Sequence, residues 1–171
     1  MNAIVAYREN IQWGYQLLEM VMAGVQDEQA RWAPPGRANP VGALYAHALL
    51  AVDGVINGML KGGAPRFATE WGGQVGSPPP QMSLTLDWAR AIQPDLPALR
   101  AYGKTVIADA EAYLDSLSDA DLDRSIDLSS AGLGTRTVGW ALNALVGAHL
   151  NNMAGEISAL KGVQGLQGYP F

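Results

Sequence analysis

Cysteine is absent from the 171 residues, and histidine occurs only twice. Without cysteine there is no disulfide framework, no thiolate zinc site, no iron–sulfur cluster and no cysteine nucleophile. Two imidazoles also cap neutral-pH acid–base chemistry, because histidine is the one side chain whose unperturbed pKa lies in that range. Charge is scarce at 16%, and eleven Lys plus Arg against sixteen Asp plus Glu leave a net charge of −5. No stretch concentrates the basic residues, so neither nucleic acid nor an anionic membrane surface is an expected partner. Clean apolar runs are missing too. Arg8, Glu9 and Glu19 interrupt the first segment, which argues against a secretory signal. The most apolar window, Val41 to Leu60, is broken by His47, Asp53, Asn57 and three glycines, so no membrane span is expected. Cytoplasm is the default expectation for the chain.

What is present is apolar patterning: 49% of the residues are hydrophobic, enough for a large core in one domain covering residues 1–171. Four segments repeat apolar residues at three- and four-residue steps, the mark of one helix face. The first, from about Ala3 to Val25, places Ile4, Ile11, Leu18 and Val25 a heptad apart. The second starts after Asn39-Pro40, with Asn as cap and Pro in the first turn, and ends at Lys61 before two glycines. The third follows Pro94 with Leu99, Gly103, Val106, Ala110, Tyr113 and Leu117; the fourth runs from Val138 through Leu142, Leu145, His149, Met153, Ile157 and Leu160 to Gly162. These elements predict an all-α, antiparallel four-helix bundle with long connections. Residues 62–94 are too long for a bare loop, so Leu84 to Ile92 is expected to form a short extra helix. A small hairpin is expected around Gly132-Leu133-Gly134.

Most catalytic signatures fail. Tyr102-Gly103-Lys104-Thr105 ends like a phosphate-binding loop, but Ala98 stands where the first glycine belongs and a helical pattern surrounds it. The Glu-x-x-His pair of di-iron bundles is absent, since Leu44 and Val146 precede His47 and His149 by three. The two histidines themselves are placed on helical stripes. His149 lies between Leu142/Leu145 and Ile157/Leu160, and His47 lies with Leu44, Ala51, Gly54 and Gly58, whose small residues let another helix approach. Two inward histidines either converge on one metal ion or one substrate, or are core histidines bonded to carbonyls or hydroxyls.

The run Pro40-Val41-Gly42-Ala43-Leu44-Tyr45-Ala46-His47, followed by His149-x-x-x-Met153-Ala154-Gly155-Glu156-Ile157, resembles the DinB/YfiT-like superfamily of metalloenzymes, related to mycothiol-dependent maleylpyruvate isomerase. The resemblance implies a DinB-like four-helix bundle with one metal-ligating histidine on the second helix and an H-x-x-x-H pair on the fourth. Here the third ligand position falls on Met153. A thioether is a soft ligand better suited to Cu(I) than to zinc or nickel, so binding of a divalent metal through His47, His149 and Met153 is expected to be weak. Glu156 is the substitute considered for the third ligand: it shares the face of His149 but lies further along the axis, and coordination would need helix adjustment or a water bridge. Its plainer reading is a partly exposed carboxylate near Lys161 or a buried hydrogen bond. Asp53 falls about 240° round the helix from His47 at 100° per residue and points away.

The leading expectation is a small-molecule-binding protein with a degraded metal site, forming a homodimer. The alternatives are an active metal-dependent hydrolase or a thiol transferase using a small thiol of the mycothiol or bacillithiol type, and a non-catalytic structural or interaction module. Trp71 and Trp140 are candidates for the mouth of a pocket.

Overall fold

A computed structural model describes residues 3–80 and 84–171. Helix α1 spans Ala3–Met22 and the short α2 spans Asp27–Arg31. Helix α3 covers Val41–Leu60; its first part, Val41–Asp53, is α-helical, and Gly54–Leu60 widens into a π-helix. After a single π turn at Phe67–Trp71 come α4 at Leu86–Ala91 and α5 at Leu96–Asp115. Two short strands follow, β1 at Ser125–Asp127 and β2 at Thr135–Thr137. The last helix, α6, occupies residues 138–163: an α-turn at Val138–Ala141, a π segment at Leu142–Gly147, and α-helix again over Ala148–Val163.

The expected boundaries hold closely. Asp95 caps α5 by accepting from the Ala98 amide at 2.9 Å, and Thr137 caps α6 by accepting from the Trp140 amide at 3.1 Å. Asn39 does not cap α3, because Pro40 occupies the cap position itself. The extra helix is α4, with Thr85 accepting from the Trp88 amide. The hairpin pairs Ser125 with Thr137 and Asp127 with Thr135, and Gly132 and Gly134 turn it at φ of 74° and 65°. Gly103 lies in mid-helix against Leu49 and Tyr15, and Lys104 is exposed, so the partial phosphate-loop match is a packing feature.

The helix directions differ from an all-antiparallel bundle. Asn10 pairs with Asn143 and Asn151, and Val21 accepts from Lys161, so α1 and α6 rise together. Arg8 meets Asp115 and Gln12 meets Glu111, so α5 descends beside α1. Leu49 packs at Gly103 and Asn57 bonds Asp109, so α3 runs parallel to α5. The order is therefore up, down, down, up. Two parallel neighbours in sequence require a return the length of the bundle, roughly 30 Å for a 20-residue helix, and this is what residues 61–95 supply. Gly14 permits the close approach of α1 to α6, since a Cβ there would stand 2.9 Å from Leu150 Cβ.

Helix α3 is the most buried element. Its twenty residues are long and apolar enough to cross a membrane, yet most of the segment is covered by the other helices, as the core strut of a bundle would be.

Candidate binding site at the histidine pair

Helices α3 and α6 bring His47 and His149 together, with ring centroids 5.0 Å apart and planes at 79°. The rings border a cavity of about 310 Å³ lined by Leu50, Ala51, Gly54, Val55, Met59, Pro65, Phe67, Pro80 and Leu145, with Asp53 at its edge. The small residues after His47 thus open space rather than admit a helix: a Cβ on Gly54 would meet nothing within 4 Å. Both histidine-bearing helices carry their π segments beside the cavity, Gly54–Leu60 and Leu142–Gly147. Such widened turns recur at functional sites because they displace side chains from the regular helical register.

Neither imidazole has a hydrogen-bond partner among the described residues, and Nε2 of His149 is fully shielded from solvent as well. The carbonyl or hydroxyl partners of a core histidine are missing here. Burial lowers the pKa of both rings; for His47 burial and the neighbouring His149 bring it to about 4. Both are neutral at neutral pH, so each offers one N–H donor and one lone-pair acceptor. Trp88 of α4 stands edge-on to His47 with centroids 6.2 Å apart, and its indole N–H donates to the Pro79 carbonyl at 3.0 Å. The tryptophan beside the histidine pair is therefore Trp88. Trp71 instead packs on Tyr102, and Trp140 lies beneath the Arg136 guanidinium.

The spacing of the rings suits a shared ion. A nitrogen ligand at about 2.0–2.1 Å places its ring centroid about 3.2 Å from the metal, and centroids 5.0 Å apart then subtend about 100°. The donor set fails instead. No three His, Cys, Asp or Glu among the described residues stand together as a metal site. Met153 is half-buried against the core and does not line the cavity. Glu156 lies seven residues beyond His149, about 10 Å along the axis, and has no hydrogen bond or ion pair among the described residues; burial raises its pKa. Its expected neighbour Lys161 turns inward and donates to the Val21 carbonyl at 2.6 Å. Two imidazoles and a thioether do not fit a resident divalent ion.

Asp53 is occupied elsewhere. One carboxylate oxygen accepts from Asn57 at 2.8 Å and from the Arg66 amide at 2.9 Å; the other accepts from the Phe67 amide at 2.8 Å and the Tyr102 hydroxyl at 2.6 Å. It is fully buried and anchors the start of the π turn that carries Phe67 over the cavity. Beside it, Arg66 grips Asp109 through two nitrogens, at 2.8 and 3.0 Å, and the guanidinium holds that carboxyl below the usual range. Sequence reasoning missed this network, because its acceptors serve backbone amides thirteen and fourteen residues away.

The family profile of the DinB superfamily matches residues 10–153. A crystal structure of a conserved protein from Enterococcus faecalis superposes with a TM-score of 0.82 at 17% identity, covering 96% of this chain and 99% of that one. At that identity the likeness concerns the fold. No curated protein matches the chain.

Proposed function

Because the chain belongs to the DinB superfamily, we propose that it is a small-molecule-binding member whose metal site is incomplete, with His47 and His149 as the polar end of an interior cavity. The observation that carries this reading is the pair of neutral imidazoles, without a hydrogen-bond partner among the described residues, beside about 310 Å³ of largely apolar space. Pockets that hold small ligands have this make-up, apolar walls with a few convergent polar groups. The rings of His47 and His149 supply those polar groups among the lining residues.

Zinc and nickel titration of protein purified without a histidine tag tests the incomplete site. Weak or no binding is expected for the native chain, and Met153→His should raise affinity on the order of 100-fold, about 2.7 kcal/mol, by adding a borderline ligand one turn from His149. Tight stoichiometric binding by the native chain overturns the reading in favour of an active metal-dependent hydrolase or thiol transferase. Failure of both forms means that the two rings do not converge on an ion, and the metal-site part of the reading falls.

A further inference from the structure

The lining of the cavity constrains what it can hold, and the inference that follows rests on the binding role proposed above. Among the described residues no lysine or arginine lines it. The one carboxylate at its edge, Asp53, already accepts two hydrogen bonds on each oxygen. Of the cations in the adjoining network, Arg66 is engaged by Asp109 and Glu70, and Lys61 donates to the Asn57 side chain. A charged ligand would thus be buried without a counter-charge, at a cost of several kcal/mol. The walls of Leu50, Val55, Met59, Phe67 and Leu145 call for an apolar body. At the polar end stand two neutral rings, which between them carry N–H donors and lone-pair acceptors. A ketone or ether only accepts and leaves the ring acceptors unpaired, whereas a hydroxyl donates to one ring and accepts from the other.

We propose that the cavity takes an uncharged apolar alcohol of the phenol class, its ring against the aliphatic wall and its hydroxyl bonded to the His47–His149 pair. About 310 Å³ has room for a bicyclic aromatic, so the series 2-naphthol, 2-methylnaphthalene and 2-naphthoate separates the head groups on one body. Binding of each to the wild-type chain is followed at pH 7 by calorimetry or by ligand-observed NMR. The expected order is naphthol tightest, methylnaphthalene about 10-fold weaker for want of one hydrogen bond, and naphthoate weakest.

The double variant His47→Phe/His149→Phe should bind naphthol and methylnaphthalene equally, and His149→Asn, which restores a donor and an acceptor, should keep part of the preference. The ranking of the three probes is read on the wild-type chain, so it stands even where a variant fails to fold. Naphthoate binding tightest overturns the proposal, as does equal binding of all three, which leaves the cavity reading intact. Binding of none of the probes removes the cavity reading and this inference with it.

Discussion

Asp53 and His149 stand on adjacent helices beside the same cavity, and one is as fully bonded as the other is bare. Around Asp53 every acceptor is used: four donors from α3, α5 and the π turn converge on one carboxylate. Around His149 neither ring nitrogen has a hydrogen-bond partner among the described residues, and the same is true of His47. A satisfied buried network fixes a structure, because each member would be costly to leave unpaired. The unsatisfied Nε2 of His149 gives up stability that the fold could have kept with an apolar residue. The difference separates residues that build the pocket from residues that face its occupant.

Removing Asp53 is the most damaging way to test that division. Asp53→Ala strands the Tyr102 hydroxyl and the Arg66 and Phe67 backbone N–H groups in the interior and leaves Asn57 only its bond to Asp109, and about 3–5 kcal/mol of stability should be lost. Urea unfolding at pH 7 measures it. A loss under about 1 kcal/mol would mean that the network is dispensable and the contrast with the histidines is false.

Lowering the pH acts on the other cluster. The unfolded His47 ring takes up its proton near pH 6.5 and the folded ring near 4. Between those values the unfolded chain holds more protons, so stability is fully present above about 6.5 and falls as pH drops toward 4. His47 alone should account for a fall on the order of 2 kcal/mol, with His149 adding in the same direction. Stability of His47→Phe measured across this range should show a shallower slope. An unchanged slope would place the proton uptake elsewhere.

The four long helices were legible because apolar residues recur at helical steps and Pro40, Asp95 and Thr137 mark three of the starts. The histidine pair was legible for the same reason, each ring lying on a core stripe. Three features were not. The parallel pairing of α3 with α5 depends on a crossover whose length is visible but whose path is not. The π segments at Gly54–Leu60 and Leu142–Gly147 carry no local signature, since a wider turn is chosen by packing rather than by propensity, and stripe arithmetic at 100° per residue does not describe them. The angle of Asp53 on the helix placed it away from His47, whereas it stands beside the same cavity, and its partners come from the chain's return over that cavity, which no helical wheel contains. Trp88 reaches His47 by the same return.

The smallest effect is the most discriminating. Replacing His149 with Phe keeps a planar ring, removes an unbonded buried nitrogen, and has cavity space beside it to absorb the added volume. Apolar replacement of an unsatisfied polar group is neutral or stabilising, so His149→Phe should match the native chain or exceed it by up to about 1 kcal/mol, a rise of roughly 2–4 °C in Tm for a chain of this size. Most substitutions at buried positions destabilise, which makes the sign of this change informative on its own. A loss of more than about 1 kcal/mol would show that the ring is held by a bond in the folded protein, and His149 would then join Asp53 among the residues that build the pocket.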